Sequence, residues 1–361
     1  MRLPLLLWIA LAMLSAQPSL SQKKAPDISK AKKYYLRFSN SSFPESFRIP
    51  FAKIKVLDNR YDTTKLGYER SKGRDYKITV DGGFEKRMSN YLESYYKNNL
   101  DPSSSRTLLV VVKKLWMQFG STSQMLGSKE LDKNSVLGLM YANVICLADL
   151  EVFSGEGDEY RALMKISHHF DFEDYQTNNE LFSKNRNLAL LLMPFDSLMN
   201  KVNESDIDEL ISPRKKYSLA AISDIYKKRF TIPALLQSGL QKGIYRTFED
   251  FKNNKPAYTD FAYEVSRYST DITVVQNGRP SSVIDYWGFY DGENLYIKPG
   301  LLPFAVSKQG NTFDFYGNLG REVRANANVV NARYGSYLAN SSNSYIPYYP
   351  LQLDMETGKV Y

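Results

Sequence analysis

Cysteine and histidine are almost absent from this chain of 361 residues, which contains one cysteine and two histidines. A single cysteine excludes a framework of intrachain disulfides, so the fold has to be stabilised by packing. Cys146 lies within the apolar run Val144-Ile145-Cys146-Leu147-Ala148. We therefore predict that it is a buried small hydrophobe.

The two histidines, His168 and His169, are adjacent in a segment that we predict to be a strand. Neighbouring side chains of a strand point to opposite faces, so the two cannot serve one metal ion without a bulge. His169, Asp171 and Glu173 share one face and make a possible hard-metal set. We favour the simpler interpretation, an exposed polar face of an edge or outer strand, and we predict no metal site.

The sequence also lacks the short motifs of common catalytic sites. It contains no His-Glu-x-x-His, no Cys-x-x-Cys, no Gly-x-x-x-x-Gly-Lys and no Gly-x-Ser-x-Gly. We therefore predict no catalytic residue and no cofactor. Two acids brought together by folding leave no local motif, so a hydrolase that uses carboxylates stays open, with Glu249, Asp250, Asp285 and Asp291 as nominal candidates.

Charge of one sign is not concentrated in any long segment. The formal net charge is +8, but 47 basic residues are interspersed with 39 acidic ones. Short basic clusters such as Lys113-Lys114 and Arg214-Lys215-Lys216 are interpreted as solvated surface or linker. We predict no nucleic-acid site.

A long apolar run occurs only at the N-terminus, from Leu3 to Leu14, after the single basic residue Arg2. The run is shorter than the roughly 20 apolar residues of a membrane span and is followed by small residues. It predicts a signal peptide at residues 1–21, cleaved after Ala16 or Ser21. The mature protein is then expected in the periplasm or outside the cell, with no stable membrane insertion. No cysteine near the cleavage site can carry a lipid, so no lipid anchor is expected.

Tyrosine is abundant, with 27 residues, and aromatic residues make up 14% of the chain. Tyrosine suits half-buried strands whose outer edge is wet, which favours β-rich structure. The patterning predicts an α+β fold: an N-terminal sheet with packed helices, followed by a mainly antiparallel β domain. The predicted boundaries are a flexible segment at 22–46, an α+β domain at 47–215 and a β-rich domain with short helices at 216–361.

Three local signals mark the second half. Thr231 is predicted to cap a helix that begins near Pro233 and is closed by Gly243. Thr247 and Asp250 form a capping box for a short helix that buries two phenylalanines. Asp291-Gly292 is predicted to be the type I′ turn of a hairpin.

Two resemblances concern separate parts of the chain. A strand ending in Asp58-Asn59-Arg60, followed by Leu66-Gly67, resembles the periplasmic auxiliary proteins of ABC transporters and related envelope lipoproteins, although the lipid-bearing cysteine of that family is missing here. The second half is similar to a group of secreted Bacteroidota proteins without assigned activity. That similarity rests on residues 243–256 and on Trp287-Gly288-Phe289-Tyr290-Asp291-Gly292. It implies an envelope or secreted setting.

The function predicted from these observations is that of a non-catalytic cell-envelope protein, which binds a protein partner or a surface polymer. The alternative is a carboxylate-dependent hydrolase that acts on cell-wall or extracellular glycans. Aromatic residues of the second half are the candidate binding residues, with a role in the core as the competing interpretation. They are Tyr245, Phe248, Phe251, Trp287, Tyr290 and Tyr296.

Overall fold

The structure is a computed structural model. It describes residues 28–71, 74–121, 142–170, 186–236, 239–265, 270–276, 278–300, 303–317 and 349–361. The predicted signal peptide, and Asp171 and Glu173 of the possible metal set, lie outside the described residues. No helix within these ranges is long and apolar enough to cross a membrane.

The described residues form six α-helices and seventeen strands, with 3₁₀ turns at Ile28–Lys30 and Lys228–Phe230. The helices are α1 Phe84–Tyr95, α2 Arg186–Asn203, α3 Ile207–Ile211, α4 Leu219–Lys227, α5 Pro233–Leu236 and α6 Phe248–Lys252. The strands of the first half are β1 Lys32–Tyr35, β2 Lys53–Asp58, β3 Gly67–Ser71, β4 Arg74–Thr79, β5 Arg106–Ser121, β6 Ala142–Glu156, β7 Glu159–Phe170 and β8 Lys216–Ser218. Those of the second half are β9 Gly243–Tyr245, β10 Phe261–Val265, β11 Thr270–Gln276, β12 Arg279–Ser282, β13 Gly288–Tyr290, β14 Leu295–Ile297, β15 Phe304–Gln309, β16 Thr312–Gly317 and β17 Tyr349–Gln352.

The fold is α+β, as predicted. In the described part, eight strands form a large mixed sheet in the order β1-β4-β3-β5-β6-β7-β8, and β2 pairs with the first part of β5. The second half contains a six-stranded antiparallel sheet, β17-β16-β15-β14-β13-β9, and a three-stranded one, β10-β11-β12. Short strands separated by Gly and Asn turns explain the antiparallel character of this half.

Helices α1 and α2 cover one face of the large sheet. The apolar stripe of α1 packs into the core as its spacing predicts, with Phe84, Met88, Leu92 and Tyr95 buried. On α2, Leu188, Leu191, Leu192, Leu198 and Val202 are buried. Their partners in the sheet include Leu108, Val110 and Val112 of β5.

The opposite face of the large sheet contacts two separate parts of the second half. Helix α4 covers Leu109 and Val111 with Ile222 and Tyr226. Farther along β5, Trp116 packs against Tyr361, and its ring centroid lies 5.4 Å from that of the tyrosine. The two halves therefore share a buried interface on this face.

Two predicted segment boundaries differ from the structure. Part of the segment predicted to be flexible, 22–46, is built into the fold, because β1 pairs in parallel with β4 and Leu36 and Phe43 are buried. The first sheet also extends beyond residue 215, since β8 pairs with β7 and α4 packs on the sheet. Long-range pairing, which local composition does not encode, decides both boundaries.

Residues 243–256 fold as one compact unit. The capping box is confirmed: Thr247 accepts from the Asp250 backbone, and Asp250 accepts from the Thr247 backbone. Asn254 ends α6 at φ 51°, and the bonds from Asn254 N to Phe251 O and from Lys255 N to Asp250 O form a Schellman motif.

Side-chain contacts close this unit from both ends. Asn254 Oδ1 accepts from the Gln241 backbone at 2.8 Å and from the Tyr245 hydroxyl at 2.9 Å. A Cβ on Gly243 would lie 2.4 Å from Tyr258 O, so only glycine fits there. Gly243, Thr247, Asp250 and Asn254 thus have structural roles in this unit.

Two other local predictions are wrong in detail. Of the helix expected between Thr231 and Gly243, the described residues contain α5, and Gly239 and Leu240 are not helical. The Thr231 hydroxyl donates to Lys228 O of the preceding turn instead of capping, and Leu236 is 65% exposed. The Asp291-Gly292 hairpin exists but is not type I′, since only Gly292 has positive φ, at 109°. The Asp291 carboxylate instead orders the turn by accepting from the backbone N–H groups of Glu293 and Asn294.

Candidate functional site

A cluster of charged side chains lies between the large sheet and the six-stranded sheet. We call it the buried cluster; it consists of Asp62, Lys65, Tyr68, Asp314 and Gln352. The Lys65 ammonium contacts the Asp62 carboxylate, and its Nζ lies 2.6 Å from Asp314 Oδ2. The side chains of all three are at most 2% exposed.

Donors from both halves of the chain hold the Asp314 carboxyl. The Tyr68 hydroxyl donates to Oδ2 at 2.6 Å, and Gln352 Nε2 donates to Oδ1 at 3.0 Å. Burial raises the pKa of Asp314, although Lys65, Tyr68 and Gln352 oppose that rise. The pKa of Tyr68 is also raised, by burial first and then by the charge of Asp314.

Arg60 fixes the loop that carries this cluster. Its guanidinium donates from Nε and Nη2 to the two oxygens of Asp58, both at 2.7 Å, and from Nη1 to Lys65 O at 2.6 Å. It also lies over the Phe84 ring, 4.4 Å from the ring centroid. The Asp-x-Arg sequence therefore closes the end of β2 as a buried bidentate ion pair.

The next residues of this loop bring the chain against β5. The Leu66 carbonyl accepts from the Met117 backbone at 2.7 Å. At Gly67, which has φ 141°, a Cβ would lie 1.7 Å from Met117 O. Any larger residue would separate the two strands.

A second group of charges surrounds the buried cluster, and we call it the outer ion pairs. Its members are Lys113, Lys114, Asp149, Glu151, Arg229, Asp354 and Glu356. A register shift in β5 between Val112 and Lys114 interrupts the alternation, so that the consecutive Lys113 and Lys114 both pair with acids. Lys113 Nζ lies 3.1 Å from Glu151 Oε1, and Lys114 contacts Asp354 and lies 3.4 Å from Asp149 Oδ2.

These pairs shift the pKa values of their members. Burial by itself would raise the pKa of Asp354, but Lys114 and the N–H groups of Glu356 and Thr357 hold it below the ordinary value. Burial likewise opposes the charge of Lys114, yet Asp354 and Asp149 raise its pKa. Each shift favours the charged pair, so Lys114 and Asp354 stabilise the interface as ions.

The prediction that Lys113-Lys114 is solvated surface is therefore wrong. Both side chains are 21% exposed and lie in the interface. Two lysines inside the apolar run Leu108–Met117 were the available signal, because a central strand rarely places charge at its middle without a partner. The sequence contained no indication of which acids those partners are.

The space inside the charged interface is small. A cavity of about 20 Å³ is lined by residues of both halves, among them Asp62, Lys65, Trp116 and Tyr361. That volume accommodates about one water molecule. The interior of the interface therefore has no room for an organic substrate.

An open groove lies beside this interface, and we call it the surface groove. Its volume is about 510 Å³, within the range of roughly 300–1,000 Å³ typical of ligand sites. Its lining consists of Tyr61, Lys228, Arg229, Thr231, Ile232, Pro233, Glu249, Lys252, Asn253, Met355 and Glu356. Tyr61 comes from the first half of the chain and the other residues from the second.

The floor of the surface groove is fixed by contacts to the interface. Arg229 Nε lies 2.7 Å from Glu356 Oε1, and Nη1 donates to Asn59 O at 2.8 Å. The Tyr61 hydroxyl donates to Arg229 O at 3.2 Å. On the rim, Lys252 pairs with Glu249 at 3.4 Å, whereas Lys228 is exposed and has no ion pair within the described ranges.

The six predicted aromatic binding residues do not line this groove. Tyr245 and Phe251 are fully buried and belong to the core. Phe248 and Trp287 are partly exposed and pack on Phe251, with ring centroids 6.2 Å and 4.6 Å away.

The other two predicted aromatics lie along the β13–β14 hairpin. Tyr296 stacks on Phe289 with ring centroids 4.7 Å apart. The hydroxyl of Tyr290 donates to Gly292 O at 2.7 Å. The six aromatic residues pack along the sheets and do not form one exposed binding surface. A role in binding for the partly exposed ones stays a prediction.

The chemically distinctive side chains of the sequence stand apart from the groove. Cys146 is fully buried, which confirms its predicted role, and burial raises its pKa to about 12. His168 is half-buried and His169 exposed, consistent with opposite faces of β7, and burial followed by the charge of His169 lowers the pKa of His168. Among the nominal acids, Asp250 and Asp291 are engaged in the cap and the turn.

Comparison with known proteins adds little to this geometry. No protein-family model matches the chain, and no curated protein matches it. The chain is similar to a solved structure, the crystal structure of protein XCC0632 from Xanthomonas campestris, of the family model DUF330. The identity is 9%, the match covers 50% of this chain and 96% of that chain, and the TM-score is 0.25. A likeness of this strength carries no argument about function.

Proposed function

We propose that this protein is an exported, non-catalytic component of the cell envelope that binds a protein partner or a surface polymer in the surface groove. The observation that carries the proposal is the groove itself, an open volume of about 510 Å³ that both halves of the chain line. The N-terminal signal and the resemblances of the sequence support the envelope setting.

The chemistry of the groove favours a polar, extended ligand. Its walls combine three cations, Lys228, Arg229 and Lys252, with two acids, Glu249 and Glu356, and a few apolar side chains. The Arg229 and Glu356 pair is anchored by the interface, so contacts within the protein position the floor before a ligand binds. A preorganised polar surface costs less ordering on association than a mobile one.

The chain offers a direct test because its one cysteine is buried and unreactive. We suggest Lys228→Cys, which places a thiol on the rim of the groove, labelled with a photoactivatable crosslinker. The control is Lys216→Cys, on exposed β8 outside the groove lining. Both proteins are irradiated with native envelope fractions, and captured material is identified by mass spectrometry.

The proposal expects one reproducible protein or polymer to be captured at position 228 and not at position 216. Equal capture at both positions, or none at either, would contradict binding in the groove. In parallel, the purified protein is incubated with isolated cell-wall glycans. Release of soluble fragments, lost on changing one acid while the fold is kept, would replace the proposal with the hydrolase alternative.

A further inference from the structure

Lys65 and Asp314 bring an amine and a carboxyl together where water is nearly absent. We propose that these two side chains become joined by an isopeptide bond, an amide between Lys65 Nζ and Asp314 Cγ, with Asp62 as the proton-relay residue. The bond would link the loop after β2 covalently to β16 in the second half of the chain. This inference is independent of the proposed function.

The first argument is proximity. Nζ lies 2.6 Å from Asp314 Oδ2, so it already touches the carboxyl group that it would attack. The Asp62 carboxylate contacts the same Nζ, while its Oδ1 accepts from the Thr64 backbone and hydroxyl. Holding reactants in this way replaces an encounter in solution and can correspond to effective concentrations on the order of 10⁵–10⁸ M.

The second argument is charge. One ammonium in contact with two carboxylates leaves a surplus negative charge among side chains that are at most 2% exposed. The Lys77 ammonium also acts on both carboxylates, but it donates to Ser29 O and forms an ion pair with neither. An uncompensated buried charge is costly, so one of the two carboxyls is expected to hold a proton. Burial also raises the pKa of Asp314, which acts in the same direction. A protonated carboxyl is the form that an amine can attack.

The third argument is activation of the carboxyl. The Tyr68 hydroxyl and Gln352 Nε2 donate to the two oxygens of Asp314. These hydrogen bonds make Cγ more electrophilic and stabilise the negative charge that develops on oxygen during attack. The aromatic rings of Tyr68 and Trp116, whose centroids lie 5.7 Å apart, form part of the apolar surroundings. The adjoining cavity of about 20 Å³ accommodates the water molecule that leaves.

The step balances without a co-reactant. Within the cluster the Lys65 ammonium passes one proton to Asp62, leaving a neutral amine and two protonated carboxyls. The Nζ lone pair forms the bond to Cγ of Asp314. Asp62 donates its proton to the departing hydroxyl and accepts one from Nζ, the Cγ–O bond breaks, and one water molecule is released. An amine and a carboxylic acid have become an amide and water, with no oxidation or reduction.

The decisive experiment is the intact mass of the folded full chain after denaturation, followed by peptide mapping. The wild-type protein is expected to be lighter than its sequence by one water molecule, and digestion is expected to release a branched peptide that joins residues 65 and 314. Lys65→Arg, which keeps the positive charge but cannot form this amide, is expected to have the full mass.

Asp62→Asn separates the chemistry from folding, because it keeps the size of the side chain and removes the proton relay. This variant is expected to retain the wild-type circular dichroism spectrum and the full mass. A wild-type protein of full mass would overturn the proposal even if every variant failed to fold. So would a loss of water that maps to Asp81-Gly82 or Asp291-Gly292, where an aspartyl-glycine pair can cyclise to a succinimide.

Discussion

The two faces of the large sheet are buried by different kinds of contact. On one face, α1 and α2 cover apolar side chains of β5 such as Val110 and Met117, and the contact is a hydrophobic core. On the other face, α4 covers Leu109 and Val111, but farther along the sheet Lys114 pairs with Asp354 and Lys65 with Asp314 of the second half, and we call this charged part the ionic face. The same strand therefore contributes to an apolar layer and to an ionic one.

This difference affects which arrangement of the two halves is favoured more than how stable the protein is. An apolar layer accepts many partners of suitable volume, whereas a buried ion pair penalises every arrangement that leaves a charge without its partner. The ionic face can thus fix how the second half is placed on the first. The helical face can vary more freely, provided that its volume is conserved.

The largest effect is expected from breaking the ion pair of Arg60. Arg60→Ala leaves Asp58 buried without a cation and removes a donor from Lys65 O. We expect the free energy of unfolding to fall by about 3–5 kcal/mol, measured by chemical denaturation at neutral pH.

Two variants sharpen this test. Arg60→Lys keeps the charge but loses the two-pronged contact, so it should still destabilise measurably, though less. Lys216→Ala breaks the exposed pair with Glu159 and should cost less than about 1 kcal/mol. If Arg60→Ala and Lys216→Ala cost the same, the Arg60–Asp58 pair does not behave as a buried ion pair.

The matching change on the helical face is Leu191→Ala, at a fully buried position of α2. We expect a loss of about 3 kcal/mol, from lost burial and from the cavity that remains. Leu191→Met should cost less than about 1.5 kcal/mol, because a volume-conserving change is tolerated in an apolar layer. The contrast between the faces fails if Leu191→Met is as damaging as Leu191→Ala, when both are measured by the same denaturation.

A smaller effect concerns Asp196, a partly buried acid of α2 on the helical face. Burial raises its pKa to about 6, against the hydrogen bond from the Tyr96 hydroxyl and with help from Glu45. The folded-state pKa exceeds the unfolded value of about 3.9, so the contribution of Asp196 to stability should rise as the pH falls from 7 to about 4. Asp196→Asn should raise the free energy of unfolding at pH 7 by about 2 kcal/mol and flatten this dependence.

The control for Asp196 is Asp224→Asn, which changes an acid that is 71% exposed on α4. It should alter stability by less than about 0.5 kcal/mol at pH 7. Denaturation curves recorded between pH 4 and pH 7 provide the check. A wild-type stability that falls on acidification through this range, and is unaffected by Asp196→Asn, would contradict the assignment.

Part of the candidate site could be predicted from local patterns. The capping box of α6, the helix that contributes Glu249 and Lys252 to the surface groove, follows from adjacent residues. The charged interface could not be predicted in the same way. Asp314 lies between Phe313 and Phe315 in a strand, a visible anomaly, but its partner Lys65 lies in the other half of the chain.

The sequence by itself determined the α+β class, the position of the β13–β14 hairpin and the capping box of α6, because each depends on the spacing of neighbouring residues. Tertiary structure decided where β1 pairs, which acids meet Lys113 and Lys114, and that the surface groove is lined by both halves. These features depend on contacts between residues far apart in the chain. Such contacts form only when the sheets are assembled, so no local pattern records them.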